Sequence, residues 1–560
     1  MQLTRYDITE LNEGRVPAFP VRGGSGPGWD DISLYYAMAL QQMGFNSTAT
    51  KPYPNAPAPT DPQTDPVQGT PNVANTWNYS ESPDSYFFWA AMHWWPGNNW
   101  EFWKTVAPAP QDQYWSHCTH GPANVEKYFL PWHRAYIYFY EVIIRAKVAE
   151  LGGPPEWALP YWNYSFHNPT DSVRPWPRSR LPWVFTQATL PDGSTNPLFL
   201  DSTRRGLQPS WPDGSVMYLQ TTTPSYTAAY GQAHWLPQTA NSGFNQTLDS
   251  SPHGLVHDDT GSGDGLISAT GWMQFTQTAS FDPIFWLHHS QIDRLWVGWN
   301  ARGGLDPQPA DDPNWATAAD DTVTGRWNFW AAKDIGNIIV VHPGDMVDPT
   351  RLDPAKFPYT YCYDRLPAAP APKPVPAATI SASRSGPGAG APEVLGLSAA
   401  TPTQVVHDPV TVAVELHPDA PAHLHALTAG TDAQPGRVVL QLRQIIAGNP
   451  PGNYEVYLNN TTVDRTATGR VPEFVGTFGT FGAAHHHGPN AEHVPGIDVA
   501  FDITDLVAQQ RAQGRWDDTG ATVTIVHATP NIPGLTPVAA PISVGSVRIV
   551  LAHEPDPRTA

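Results

Sequence analysis

The clearest helical alternation of apolar and polar positions lies in residues 281–300, FDPIFWLHHSQIDRLWVGWN. The Asp-Pro pair at 282–283 predicts its start, because Asp can cap a helix and Pro fits the first helical position. A helix that begins there places His289 and Asp293 on one face, one turn apart. His288 lies well off this face, so one histidine of the adjacent pair can point inward while the other packs elsewhere.

Further apolar patterns predict that the first part of the chain is mainly α-helical. Residues 128–151, YFLPWHRAYIYFYEVIIRAKVAEL, form a strongly apolar helical pattern that places His133 and Glu141 on the same face. Residues 30–43, DDISLYYAMALQQM, predict an amphipathic helix, and another short helix leads to His93.

Near residue 391 the pattern changes to the alternation of β-strands. Six short segments carry it, with turn signals between them: TVAVELH, RVVLQLRQI, NYEVYLNN, IDVAFDI, TVTIVHA and SVRIVLA. This spacing predicts an all-β domain of the sandwich type. A proline-rich stretch separates it from the helical part. We therefore predict a helical domain at 1–365, a semi-rigid linker at 366–390 and a β-sandwich domain at 391–555.

Composition and charge limit the classes of partner. The 560 residues carry 31 basic and 51 acidic side chains, and the net charge of −20 argues against nucleic acid and anionic membranes as partners. No apolar stretch reaches the roughly 20 residues of a membrane span. The first residues lack the basic and then apolar pattern of a signal peptide, so we expect a cytoplasmic protein unless a helper protein exports it. The sequence leaves the oligomeric state open.

The spacing of two histidines indicates metal chemistry. His253 and His257 are four residues apart, so on a helix they can hold one metal ion together. Gly254 stands where the helical zinc proteases have their catalytic Glu. With His289 they offer three imidazoles, a ligand set that suits Cu, Zn, Fe or Ni.

A second group of three histidines lies earlier in the chain. His133 belongs to the helix at 128–151, His120 to SHCTHG and His93 to FFWAAMHWW. A core position among tryptophans is the alternative for His93. Two such groups in one chain indicate two metal ions, and O2 bridging two coppers is the chemistry that this favours. A zinc or di-iron hydrolase would need a carboxylate within the cluster, and none lies at ligand spacing.

The segments FLPWHRAYIYFYE and DPIFWLHHSQID resemble the two copper signatures of the type-3 copper family, which contains tyrosinases, catechol oxidases, plant polyphenol oxidases and molluscan hemocyanin units. The resemblance implies a four-helix bundle that holds a dicopper site. It implies these copper ligands: His93, His120, His133, His253, His257 and His289. In that family the second histidine of the adjacent pair is the ligand, which implies His289 rather than His288.

The first signature departs from the family pattern at its middle ligand. The usual position, nine residues before His133, is Asn124, and the nearest histidine with suitable flanks is His120. We infer an insertion of about one helical turn between His120 and the helix. The Cys-Thr-His run at 118–120 supports His120, because several family members carry a thioether between such a cysteine and such a histidine. A free buried thiol is the alternative for Cys118.

The resemblance also identifies four positions beside the second copper. Asp249 stands where relatives usually have a Glu that holds a water, so such a water must shift here. Gly254 replaces the Asn of efficient monophenol hydroxylases and cannot hold a water. Asp258 either serves as the base that deprotonates the phenol, in place of the missing water, or caps the short helix. Thr276 takes the place of the bulky gate residue of plant enzymes, which implies a more open copper; an ordinary loop position is the alternative.

The C-terminal segments resemble, in their order, the domain that covers the active site of plant polyphenol oxidases and keeps these enzymes latent. Three phenylalanines are candidates for a plug, with a place in a strand core as the alternative: Phe474, Phe478 and Phe481. The Tyr-Cys-Tyr run at 361–363 resembles the motif that closes the plant catalytic domain and stacks on an arginine, which here is Arg5.

Together these features imply a copper enzyme that oxidises o-diphenols or o-aminophenols with O2 to quinones or quinone imines, latent until the C-terminal domain is displaced. Weak monophenol hydroxylation is left open. The implied cofactors are two copper ions, with O2 as co-substrate and a small phenol as substrate, and a copper-delivery protein is an open partner. A hemocyanin-like O2 carrier is the alternative, since it has the same six ligands, although a protease-prone linker in a single unit argues against it.

Overall fold

The structure is a computed structural model that describes part of the chain. The described residues are 1–22, 27–45, 82–93, 128–164, 181–201, 204–206, 243–262, 271–276, 278–304, 306–307, 327–332, 337–367, 393–406, 408–428, 436–448, 451–463, 471–481, 496–527 and 541–553. Cys118, His120 and most of the predicted linker lie outside this set. Within it, no helix combines the length and the apolar character that crossing a bilayer requires.

Helices dominate the first part of the chain, as predicted. They are α1 (Ile8–Asn12), α2 (Asp31–Gln42), α3 (Tyr86–Met92), α4 (Phe129–Glu150), α5 (Gly243–Leu248), α6 (Leu255–Ser262) and α7 (Ile284–Asn300). A π-helical turn, Asp249–Gly254, joins α5 to α6. The predicted helix starts are confirmed, because Asp30 accepts a hydrogen bond from Ser33 N at 2.9 Å and Asp282 accepts one from Ile284 N at 3.0 Å.

A buried ion cluster ties the start of the chain to the two long helices. Arg5 donates to Glu141 on α4 at 2.9 Å and to Asp293 on α7 at 3.4 Å. Its guanidinium carbon lies 3.7 Å from the ring centre of Tyr361, so the predicted stacking of Arg5 on the Tyr-Cys-Tyr motif is confirmed. Because Asp293 follows His289 by one turn of α7, this cluster also fixes which face of α7 points into the bundle.

The described strands form two short sheets in the first part of the chain and one large sheet in the second. The short sheets pair β1 (Gln2–Arg5) with β4 (Thr360–Tyr363) and β2 (Trp327–Trp330) with β3 (Ile338–Val341). The large sheet contains β5 (Glu393–Ser398), β6 (Thr403–Val405), β7 (Val410–Leu416), β8 (Gly436–Ala447), β9 (Asn453–Leu458), β10 (Phe474–Gly479), β11 (Ile497–Asp502), β12 (Gly520–His527) and β13 (Ile542–His553).

The large sheet confirms the all-β prediction and has a barrel-like form. Its strand order is β10-β9-β12-β7-β5-β13-β8-β11, with β6 paired to β13. The ring of Phe501 on β11 fills the space beside Gly476 on β10, so the two edge strands approach each other. The sheet therefore wraps around one apolar core. Two helices complete this part: α8 (Ala420–Thr428) and α9 (Thr504–Ala512).

The hairpin of β9 and β10 packs onto the π-helical turn and α6 of the first part. The approach is close, because a Cβ added to Gly479 at the end of β10 would stand only 2.8 Å from the backbone nitrogen of Leu255. The β-sheet domain thus lies directly over the helical segment that carries His253 and His257.

Candidate metal centre

Five of the six histidines implied as ligands lie among the described residues, and all five are buried. They come from five helical segments: His93 at the end of α3, His133 on α4, His253 in the π-helical turn, His257 on α6 and His289 on α7. His120 falls outside the described residues, as does its proposed thioether partner Cys118.

The described histidines form two groups that share one member. In the first group, ligand nitrogens of His93, His133 and His289 all lie within 4.8 Å of one another. In the second group, those of His253, His257, His288 and His289 do the same. The two groups therefore adjoin, which is the arrangement that two neighbouring metal ions require.

Backbone carbonyls fix the orientation of four of these rings. The Nδ1 atoms donate as follows: His93 to Thr276 O at 2.8 Å, His133 to Phe129 O at 2.8 Å, His253 to Asp249 O at 3.0 Å and His257 to Met273 O at 2.8 Å. A carbonyl only accepts, so each Nδ1 carries the proton. In the neutral ring Nε2 then keeps its lone pair and faces the centre as a ligand atom.

The spacing of these Nε2 atoms fits a bound cation. Nε2 of His93 and Nε2 of His133 lie 3.5 Å apart, and those of His253 and His289 lie 3.3 Å apart. Two nitrogens that bind one tetrahedral metal ion at 2.0–2.1 Å are about 3.4 Å apart. Without a cation, the facing lone pairs of His93 and His133 would repel each other. An all-imidazole donor set of this kind suits copper.

Burial keeps the rings in the protonation state that binds metal. It lowers the pKa of His257, His288 and His289 well below the usual range of histidine, and neighbouring histidines lower it further. Neutral imidazole is the form that coordinates a metal ion.

His288 is fully buried and belongs to the second group by distance. Its ring centre lies 4.8 Å from that of His257, and its ring is nearly parallel to that of His253 at 5.2 Å. His289, in contrast, stacks on His133 of the first group at 4.3 Å. Only His289 therefore touches both groups, which favours the predicted choice within the pair.

Asp249 and Gly254 flank His253 in the π-helical turn. The Asp249 carboxylate lies 3.0 Å from Nδ1 of His253, on the side of the ring that faces away from the other histidines. It therefore supports the orientation of that ring. Phe481 borders the space where Gly254 lacks a side chain, since its Cβ would be in van der Waals contact, at 3.4 Å, with a Cβ added to Gly254.

The position of Asp258 differs from both interpretations made from the sequence. It lies inside α6, and its carboxylate accepts hydrogen bonds from the backbone N–H groups of Thr480, at 3.3 Å, and Phe481. It therefore neither caps the helix nor faces the metal centre as a free base. Burial raises the pKa of its carboxyl group well above the usual range, and the two N–H groups oppose this shift.

For Thr276 and Phe481 the sequence left two roles open each: a gate or an ordinary loop position for Thr276, and a plug or a strand-core position for Phe481. Thr276 is fully buried and acts through its carbonyl, which holds His93 of the first group. Phe481 stacks on the ring of His257 with a centroid distance of 3.9 Å and an angle of 9°. Phe478, by contrast, packs in the sheet core beside Tyr454. Of the three plug candidates the structure thus brings only Phe481 to the histidines among the described residues.

Comparisons with known proteins match two separate parts of the chain. The family model "Common central domain of tyrosinase" matches residues 83–302, and a domain of unknown function (DUF7868) matches residues 391–551. The chain is similar to tyrosinase HcTyr1 of Hahella sp. (strain CCB-MM4), with 26% identity over 466 residues, which are 79% of this chain and 88% of that protein. It is also similar to the chloroplastic polyphenol oxidase of Vitis vinifera, with 30% identity over 243 residues, 40% of this chain and 35% of the relative.

Solved structures share the fold along nearly the whole chain. A latent aurone synthase, a polyphenol oxidase, aligns with a TM-score of 0.52 and 17% identity, covering 99% of this chain and 91% of that one. A latent apple tyrosinase aligns with a TM-score of 0.51 and 17% identity, covering 99% and 98%. At this level of identity the likeness concerns the fold.

Proposed function

The chain belongs to the type-3 copper family of tyrosinases and polyphenol oxidases, and from this premise we propose that it oxidises o-diphenols or o-aminophenols with O2. It is an enzyme of the polyphenol oxidase type. In the proposed reaction each diphenol loses two protons and two electrons and leaves as a quinone. One O2 accepts the electrons and protons of two diphenols and becomes two waters. Copper, when bound, supplies the O2 binding and the electron transfer.

The observation that carries this proposal is the pair of adjoining histidine groups. Both consist only of buried imidazoles among the residues that the structure describes, and they share His289. Because no carboxylate joins them there, the centre suits redox chemistry at copper better than hydrolysis at zinc or di-iron. We assign the first copper to His93, His120 and His133 and the second to His253, His257 and His289.

The residues beside the second copper favour diphenols over monophenols. A phenol must give up its proton before it binds copper, and a base or a held water accepts that proton. Gly254 offers no side chain, and the Asp258 carboxylate is engaged by the N–H of Thr480. We therefore propose that diphenol oxidation is much faster than monophenol hydroxylation. Fast tyrosine turnover without a lag, in enzyme freed of its cover, would show instead that Asp258 or another base takes the proton.

We also propose that the β-sheet domain keeps the enzyme latent. The Phe481 ring lies flat on His257 and borders Gly254, on the side from which we propose that a substrate ring approaches the second copper. A domain that is tethered by a linker stays at high effective concentration, so even a weak interface keeps it docked. Displacing it by cleavage in the linker or by mild detergent is expected to raise activity.

The experiment that tests the function combines metal analysis with turnover. Purified protein should contain two coppers per chain and little zinc, and it should convert catechol to a quinone while consuming O2, faster after limited proteolysis. Protein that binds two coppers and takes up O2 reversibly, but oxidises no catechol even after its cover is removed, would be an O2 carrier. Protein that binds zinc instead of copper would overturn the proposal altogether.

A further inference from the structure

The β-sheet domain contacts the segments that carry the metal centre by polar bonds, in addition to the contact of Phe481 with His257. Asn453 at the start of β9 donates through Nδ2 to Leu255 O at 3.3 Å and to the carboxylate of Asp259 at 2.5 Å. Both acceptors belong to α6, and they flank His257 by two residues on either side. Asn453, Leu255 O and the Asp259 carboxylate are buried in this contact, so the bonds are shielded from competing water.

A further polar bond connects the β-sheet domain to residues 271–276, the segment whose Met273 carbonyl orients the ring of His257. Gln274 donates through Nε2 to Pro451 O, two residues before Asn453, at 3.0 Å. Gln274 lies between Met273, whose carbonyl holds His257, and Thr276, whose carbonyl holds His93. We refer to residues 271–276 as the strap, because this short segment orients one histidine from each group.

The strap and α6 are packed without free space. A Cβ added to Gly271 would stand 2.1 Å from Gly261 O, and one added to Gly261 would stand 2.2 Å from the backbone nitrogen of Gln274. Real Cβ atoms do not come so close to backbone atoms, so the backbones of α6 and the strap are in direct contact at these glycines. A movement of α6 therefore displaces the strap as well. The β-sheet domain thus holds both structures that set the ring of His257, one through Asn453 and the other through Pro451.

We propose that Asn453 and Gln274 are positioning residues through which the β-sheet domain retains copper. They lie outside the metal centre and act on it through α6 and the strap. This inference rests on the proposed copper function but adds a second role for the cover, which then holds the ligands in place as well as blocking access. By reciprocity of linked equilibria, bound copper must in turn strengthen docking of the domain.

The test measures copper release from the full-length, copper-loaded protein into an excess of a copper chelator, without substrate. Asn453→Ala should speed the release of one copper of the two by about tenfold, the order expected for a lost charge-assisted hydrogen bond. Gln274→Ala should speed the release of both, because the strap holds a ligand of each. Asn460→Ala is the matched control, since its side chain bonds to Glu473 within the β-sheet domain.

A paired variant separates positioning from simple loss of stability. Asp259→Asn keeps an oxygen that accepts from Asn453 but removes its charge, so its copper release should lie between that of the parent and that of Asp259→Ala. Asp259→Ala should approach the release rate of Asn453→Ala, which in addition loses the bond to Leu255 O. Melting temperatures of the copper-free proteins report folding. Equal release from Asn453→Ala, Gln274→Ala and Asn460→Ala, with two coppers bound at the start, would overturn the inference and leave the copper function intact. Absence of copper from the parent protein would instead remove the function itself.

A second measurement checks the reciprocal effect without any variant. The N–H of Phe481 donates to Asp258 across the interface, whereas the N–H of Thr480 donates both to Asp258 at 3.3 Å and to Gly452 O of its own domain at 3.1 Å. Hydrogen exchange in residues 471–481 should therefore be faster in copper-free protein than in the copper-loaded protein, and exchange in the core strand β13 should not change. The same exchange rate in residues 471–481 with and without copper would contradict the proposed linkage.

Discussion

The sharpest perturbation of the cover is Phe481→Ala. Phe481 is 8% exposed and stacks on His257 at 3.9 Å, so the substitution removes a ring that is buried at the interface. Ring stacking alone contributes about 0.5–1.5 kcal/mol, and truncating a buried Phe costs about 3–5 kcal/mol in a well-packed core. We use about 1.5 kcal/mol, the upper end of the stacking contribution and well below the cost of truncating a Phe in a packed core, as the loss of docking free energy.

A loss of about 1.4 kcal/mol corresponds to a tenfold change in an equilibrium constant. While the docked form dominates, the open fraction and with it the rate on catechol should rise about tenfold or more in the full-length variant. The gain ends when the rate reaches that of protein cleaved in the linker. The assay is quinone formation from catechol, normalised to the copper content of each protein.

Phe474→Ala is the matched control for this variant. Phe474 lies on the same strand, β10, but packs against Tyr457 on the opposite side of the sheet from the core, with ring centres 5.5 Å apart. It should leave the rate on catechol unchanged. The reasoning is refuted if Phe481→Ala is folded, carries two coppers and is no faster than the parent. An equal gain in both variants would show that loosening of the domain in general, rather than the ring on His257, controls access.

Three further predictions concern the ligands, the covalent link and pH. His289→Ala should lose copper while His288→Ala keeps both ions, and copper analysis that shows equal loss in the two would reverse the assignment within the pair. A thioether between Cys118 and His120 should make the copper-loaded chain about two protons lighter than its sequence by intact mass; a Cys118 that alkylates freely would exclude it. Burial raises the pKa of the Asp7 carboxyl to about 7, so the folded state binds a proton that the unfolded state releases near pH 4. Thermal stability should therefore fall as pH rises from about 4 to about 7, and this fall should be smaller in Asp7→Asn.

The helix faces that carry several of the histidines were predictable from the sequence because their determinants are local, whereas the full set of ligands followed from the resemblance to the type-3 copper family. His253 and His257 are separated by one helical turn, and the Asp-Pro pair at 282–283 sets the start of α7, so spacing alone assigns their faces. The same reasoning places His289 toward Asp293, and the buried pairing of Asp293 with Arg5 in the structure agrees with that face.

The cover was only partly predictable because its contacts are long-range. Asp258 and Thr480 are 222 residues apart in the chain, and no local pattern pairs them. Read locally, an acidic residue near the start of a short helix indicates a cap or a base. Phe481 shows the same difficulty, since it follows a strand-like run and a place in a strand core was the alternative for it. The strand ends at Gly479, and this releases Phe481 from the sheet. Only the docked domain shows what its ring contacts.

The two roles that we propose for the β-sheet domain are compatible because they concern different parts of the His257 ring. Nδ1 is held at one edge by Met273 O, Nε2 points to the metal centre, and the face of the ring is covered by Phe481. Asn453 and Gln274 hold the backbone that carries the ring, at a distance from the face that a substrate must reach. Withdrawal of Phe481 alone therefore frees the face without releasing α6 or the strap. Removal of the whole domain frees the ring face and also releases α6 and the strap. Cleavage in the linker should therefore open the second copper to substrate but weaken copper retention. Phe481→Ala should open the second copper to substrate while the protein keeps its copper.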